Sequence, residues 1–192
     1  VKRPGQPMPR AHWRQDDPDT MDVGDVYGGG SPTGITVYEN GALGAAFEGT
    51  LLNCEPSRNT VLAYKLVPQK GTYALSEATR KDLITSNPTR EFEGTDFHKL
   101  KADSSTKPND RILFRPSDVT VGPDGAIYVA DWYDSRVGGH QTLDDTCTGA
   151  IYRIAPKGFK SVIPKIDLST PEGAAAVLRN PCLLYTSPSP RD

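Results

Sequence analysis

An all-β fold assembled from repeated small antiparallel sheets is what the sequence predicts, and three observations predict it. Between Phe114 and Pro156 strand-like and turn-like segments alternate without interruption, FRPSDVTVGPDGAIYVADWYDSRVGGHQTLDDTCTGAIYRIAP. A looser copy of the same order occupies Ser31 to Pro68. The 18 glycines and 17 prolines in 192 residues supply the reversals that many short strands need.

The clearer copy begins with Val119 to Val121, which alternates into Gly122-Pro123-Asp124-Gly125. There the proline fixes φ and the glycine accepts the positive φ of a tight turn. Ala126 to Asp131 (AIYVAD) is short, β-branched and aromatic, so it reads as a second strand. A glycine-bearing loop from Trp132 to Gly149 then leads to a third, Ala150 to Ala155 (AIYRIA). Such a unit reads as one blade of a β-propeller. In the earlier copy Pro32 to Val37 matches Pro116 to Val121 position by position, Gly49 to Cys54 stands for AIYVAD, and Val61 to Leu66 stands for AIYRIA. A longer loop, Tyr38 to Glu48, replaces the PDG turn, and Tyr73 to Ile84 is expected to add an outer fourth strand with charged residues on its exposed rim.

The remaining segments set the domain boundaries. Residues 1–30 are polar and broken by prolines and a Gly28-Gly29-Gly30 run, so they read as an irregular lead-in. Residues 31–86 are the first blade and 114–160 the second. Residues 87–113 between them, NPTREFEGTDFHKLKADSSTKPNDRIL, form a long charged insertion without period. Residues 161–181 read as a linker and the start of an α-helical domain, because Ser169-Thr170-Pro171-Glu172 offers an N-cap hydroxyl, an early proline and an early acid before helix formers. Residues 182–192, CLLYTSPSPRD, resemble the translated adapter of a sequencing library. A natural low-complexity tail is the other reading. Since the chain opens on Val1 within a polar stretch, truncation is expected at both ends.

A formal charge of -2 without a Lys/Arg cluster argues against a nucleic-acid partner, and no apolar run is long enough for a membrane span. Apart from Cys182 the cysteines are Cys54 and Cys147, with no CxxC and no histidine at ligand spacing. They are either a disulfide of an oxidising compartment or two separate half-buried thiols.

From about Ala11 to Asn180 the chain resembles the propeller region of the planctomycete- and verrucomicrobial-type membrane-bound dehydrogenases. The resemblance is carried by HWR at His12, SPTGITVYE at Ser31, GTLLNCE at Gly49, RPSDVTVGPDGAIYVADWYDSRVGGH at Arg115 and GAIYRIAPKG at Gly149. It implies a ring of about six blades when whole, followed by helical repeats and a haem-binding CxxCH domain, in a periplasmic or extracellular protein. The wider relatives are similar to glucose and sorbosone dehydrogenases. In those, pyrroloquinoline quinone (PQQ) accepts a hydride from a sugar or alcohol, often with calcium polarising its carbonyls. The expected function is therefore a quinone-dependent sugar or alcohol dehydrogenase that passes electrons to a haem domain. Two alternatives stand beside it: a noncatalytic propeller that binds glycans or protein partners, and a calcium-dependent lactonase-like hydrolase, because fold does not fix chemistry.

Such a dehydrogenase needs a base, and His140 after Gly138-Gly139 is the candidate, since the glycines admit close approach and imidazole titrates near neutrality. A histidine that pins its loop to the next blade is the other reading. Asp144 and Asp145 are placed to orient its ring. Arg115, Asp118 and Trp132 are the candidates for cofactor contact. Arg115 either clamps a carboxylate bidentately or locks neighbouring blades through Asp118 or Asp131. Asp131 and Asp134 are the weak calcium candidates, without the spacing of a calcium loop, and Asp131 reads equally as a turn cap. His12 and His98 read as loop residues.

Overall fold

The computed structural model describes residues 25, 32–39, 42–69, 71–75, 79–91, 110–133, 149–163 and 165–177. Its strands are β1 (Ile35–Tyr38), β2 (Thr50–Glu55), β3 (Thr60–Lys65), β4 (Val67–Gln69), β5 (Thr72–Ala74), β6 (Arg80–Thr85), β7 (Pro116–Val121), β8 (Ile127–Asp131) and β9 (Ala150–Ile154). They form three antiparallel sheets: a four-stranded one in the order β1-β2-β3-β6, a three-stranded one in the order β7-β8-β9, and the small hairpin β4-β5. The chain is thus mostly β, with one helix, α1 (Pro171–Val177), among the described residues. Thr170 caps that helix, its hydroxyl accepting from Gly173 N–H at 3.1 Å as the sequence predicts.

β2 and β8 follow the alternation of a strand with one buried face. In β2, Leu52 and Cys54 point inward and are fully buried, while Leu51 and Asn53 are half-buried on the other side. In β8, Ile127 and Val129 do the same, and Asp131 continues their face. The PDG turn closes as expected, with Gly125 at φ 82 and Ala126 N–H donating to Asp124 Oδ1 at 3.0 Å. Between β2 and β3 the reversal is much tighter. Pro56–Arg58 make one 3-10 turn, and Asn59 ends it at φ 55, a left-handed conformation that asparagine adopts more readily than most residues.

The two larger sheets pack against each other around one core. Tyr38, Leu52, Cys54, Val61 and Ala63 come from the first, and Val119, Val121, Ile127 and Val129 from the second, with Phe114 just ahead of it. Burying a side chain such as Leu52 or Val129 stabilises the pair of sheets by about 1.5–3 kcal/mol each. Polar bonds fix the sheets' relative register. Tyr38 donates its hydroxyl to Gly125 O at 3.1 Å, Gly34 N–H donates to Ser117 O at 3.1 Å, and Thr33 Oγ1 donates to Pro116 O at 3.2 Å. This approach requires glycine at position 34, where a Cβ would lie 2.5 Å from Asp118 Cα.

Two expectations are corrected. The outer strand of the first sheet is β6 alone, because residues 72–74 turn back to pair with β4 rather than joining β3. The inner-strand alignment also slips by one residue. Leu52 pairs with Thr36 and Ala63, and Val129 pairs with Val119 and Tyr152, so Thr36 rather than Ile35 stands where Val119 stands. β7 also carries a bulge between Pro116 and Asp118, which stores an extra residue ahead of Val119.

The sheets also differ at their outer edges. Leu62 of β3 is covered by β6 and 1% exposed, whereas Ile151, its counterpart in β9, is 75% exposed. Among the described residues no sheet closes on itself, and no helix is long and apolar enough to cross a membrane.

Candidate functional site

The strands run so that β6 ends, β7 starts, β8 ends and β9 starts at one common end of the packed sheets. Buried polar groups collect there. Asp131, the last residue of β8, accepts from Arg115 N–H at 2.7 Å and Tyr133 N–H at 2.8 Å through Oδ1, and from the Tyr152 hydroxyl at 3.3 Å through Oδ2. It therefore caps the turn in which Tyr133 sits at φ 54. Burial pushes its carboxyl above the ordinary carboxylate range, and the bonds from Arg115, Tyr133 and Tyr152 together with the Arg115 charge oppose that rise. Tyr152's hydroxyl is raised by burial first and then by the charge of Asp131, so it remains a donor at neutral pH.

Arg115 crosses from one sheet to the other. Only 2% exposed, it donates from its guanidinium to Pro56 O at 2.7 Å, in the 3-10 turn between β2 and β3, while its own carbonyl accepts from Trp132 N–H at 2.9 Å. Its guanidinium thus bonds a backbone carbonyl in the turn of the other sheet. Asn59 makes a parallel link, donating from Nδ2 to Ile112 O at 2.9 Å and Phe114 O at 2.8 Å. Its carbonyl accepts from Ser86 N–H at 3.2 Å and from the Thr85 hydroxyl at 2.8 Å.

Above this layer lies an open cleft of 360 Å³. Ile84 and Thr85 of β6 with Ser86 form one wall, Arg111 and Phe114 form the floor ahead of β7, and Tyr133 and Tyr152 form the other wall. Phe114 and Tyr152 meet edge to face, with ring centroids 5.8 Å apart. Arg111 is held from two sides: Nε donates to Ser86 O at 2.8 Å and NH1 pairs with Glu91 Oε2 at 2.7 Å. The Thr89 hydroxyl first, and then Arg111, hold the Glu91 carboxyl below its ordinary value.

The other sequence candidates are dispersed. Trp132 is 64% exposed beside Asp131. Asp118 lies at the β1–β7 seam, its Oδ1 accepting from Val119 N–H at 2.8 Å. Its charge adds to burial in pushing the Cys54 thiol up to about 12, against a hydrogen bond from Thr33. Cys54 itself is a free, fully buried thiol. His140, Asp134, Asp144, Asp145, His12, His98 and Cys147 lie outside the described residues. Among the described residues no three His, Cys, Asp or Glu side chains converge as a metal site.

Sequence reasoning missed Arg111, Phe114, Tyr133 and Tyr152 as a group. Tyr152 alternates in β9 as an ordinary strand residue, and Arg111 sits in the stretch read as a charged loop. Only the pairing of Val129 with Tyr152, which brings β9 beside the β8 turn, joins them.

Residues 3–158 match the model of a family described as a domain of unknown function (DUF7133). Comparison with curated proteins and with solved structures returns no match.

Proposed function

The chain belongs to the DUF7133 family, and we propose that its two packed sheets are neighbouring blades of a β-propeller in a redox protein that acts on a sugar or alcohol. The observation that carries this reading is the common end at which β6 hands over to β7 and β8 to β9. Glu91 and Tyr133, the described residues that precede the two long non-repeating stretches of the sequence, stand at this end. In a ring of blades such an end is the face on which a reactive loop works over a rigid scaffold. His140 belongs to the second stretch, whose anchors are fixed: Tyr133 by Asp131, and Gly149 at φ 67 against the Asp131 carbonyl. Its role is general base, taking the hydroxyl proton of the substrate.

The described residues do not fit the quinone that the resemblance implies. PQQ carries carboxylates and needs cations. Arg115 is buried and committed to Pro56 O, Arg111 is paired with Glu91, and Asp118 is itself an acid. Glu91 and Asp131 add negative charge at the same end. Trp132 alone of the nominated residues presents an open face. The described part is thus the scaffold, and a quinone would draw its cations from other residues.

The test is dye reduction by the full chain over a panel of sugars and alcohols, with PQQ and calcium supplied, for wild type, His140→Ala and Trp132→Ala. Substrate-dependent reduction that His140→Ala abolishes is the expected result. A folded chain that binds no PQQ and reduces no dye would overturn the redox reading.

A further inference from the structure

We propose that the aromatic cleft between the two sheets is a carbohydrate-binding site that takes one hexopyranose ring, independent of any redox chemistry. At 360 Å³ it falls at the small end of ligand pockets and has room for a single ring. A pyranose presents apolar C–H faces and an equatorial rim of hydroxyls, and the cleft offers the complement of both. Tyr133 and Tyr152 supply aromatic surface, with Tyr152 held in place by its edge-to-face contact with the buried Phe114. Arg111 supplies the rim. Its fork is positioned in advance by Ser86 O and Glu91, so binding orders little further. Arg111 lines the cleft and is 40% exposed, and Glu91, which lies outside the lining, holds it from the solvent side.

Other ligand classes fit less well. An anion would find one guanidinium in the lining, Arg111, already paired with Glu91. A purely apolar ligand would cover the charged Arg111–Glu91 pair without satisfying it. A metal ion lacks a convergent ligand set among the described residues.

The internal repeat acts as a control on this argument. By strand register, Cys54 in the first sheet stands where Asp131 stands in the second, and Ala63 stands where Tyr152 stands. The first sheet forms with neither an acid nor an aromatic ring at those places. The Asp131–Tyr152 pair and the Tyr133 turn beside it are therefore additions to the repeat.

The experiment is saturation-transfer NMR and calorimetry on the full chain with glucose, galactose and mannose, comparing wild type with Tyr133→Ala, Tyr152→Phe and Arg111→Gln. Wild type should bind at least one of the three saturably, with a dissociation constant on the order of 1 mM. Tyr133→Ala and Arg111→Gln should each weaken binding about tenfold, the loss of one strong contact. Thermal melting reports whether Arg111→Gln keeps its fold. If it does not, Tyr133→Ala decides, because Tyr133 lies two residues past the end of β8 and outside the buried core. Absence of saturable binding to all three sugars would overturn the proposal, and so would binding that Tyr133→Ala and Tyr152→Phe leave unchanged. Sugar binding without dye reduction would overturn only the redox reading. Dye reduction with Tyr133→Ala as active as wild type, and no sugar in the cleft, would overturn only this one.

Discussion

Replacing Arg115 by methionine separates the locking role from the clamping one. Methionine keeps most of the stem's volume, so the packing of a side chain that is 2% exposed is largely preserved. What is lost is the charge-assisted bond to Pro56 O at 2.7 Å, a contribution of about 1.5–3 kcal/mol. The guanidinium also stabilises the Asp131 carboxylate, and its removal raises that pKa further. Together the loss should come to about 2–4 kcal/mol at neutral pH, which for a chain of this size lowers Tm by roughly 5–15 °C. The electrostatic part has a definite sign. A carboxyl whose folded pKa lies above its unfolded value reduces stability only where it must ionise, so the penalty grows as pH rises from the unfolded to the folded pKa and is complete above it. Without Arg115 that penalty is larger. The deficit of Arg115→Met relative to wild type should therefore shrink as pH is lowered through the raised pKa of Asp131. Thermal melts at a series of pH values read both quantities. An unchanged Tm would refute the lock, because a residue kept to clamp an external ligand leaves the ligand-free protein as stable without it. A deficit that does not vary with pH would refute the coupling to Asp131.

Two further outcomes follow from the same seams. Cys54, fully buried with its thiol pushed up to about 12, should resist maleimide at pH 8 in the native chain and react once the chain is unfolded; peptide mapping that finds Cys54 labelled under native conditions would contradict its placement. For Asp124, burial alone would raise the carboxyl, but bonds from Arg153, Ser161 and Ala126 N–H outweigh it and hold the value at about 2. Its stabilising effect is complete above the unfolded carboxylate value and is lost as pH falls through about 2, so Asp124→Asn should melt lower than wild type at neutral pH and converge with it in strong acid.

The sequence was informative where one rule governed a segment. Alternation located β7, β-branched and aromatic content located β8 and β9, the internal repeat located β2, Gly122 to Gly125 located the hairpin, and Thr170 with Pro171 located the helix start. It failed where two local solutions compete. Residues 67–74 have enough β character to extend the outer edge, yet Gly71 at φ 83 lets them reverse into their own hairpin. Matching Pro32 with Pro116 assumes equal spacing, and only the pairing partners show that Thr36 stands level with Val119. The site was less legible than the fold for a physical reason. Arg115 and Asp131 stand out because charges at strand ends are conspicuous, and in the structure one bonds across to the turn of the other sheet and the other caps the turn after β8. The cleft is built of tyrosines and a phenylalanine that any strand or turn accommodates, so their significance lies in long-range proximity and not in composition.

A repeated fold offers its own means of separating the two kinds of residue. Features that both copies share meet the demands of the fold: the inward pair Leu52 and Val129, the inner-strand pairing, and the shared core. Features in which the copies differ are under no such demand, and several of them lie at the end where β8 stops. A one-turn reversal at Pro56–Arg58 stands opposite the long stretch after Tyr133, Cys54 opposite Asp131, and Ala63 opposite Tyr152. The two copies are also coupled in a specific direction. The compact turn of the first supplies Pro56 O and Asn59 Nδ2, and these hold Arg115, Ile112 and Phe114 of the second in place. The first sheet thus acts as the rigid template on which the end of the second is positioned. Changes in its turn should therefore reach the aromatic cleft through Phe114, although no residue of that turn lines it.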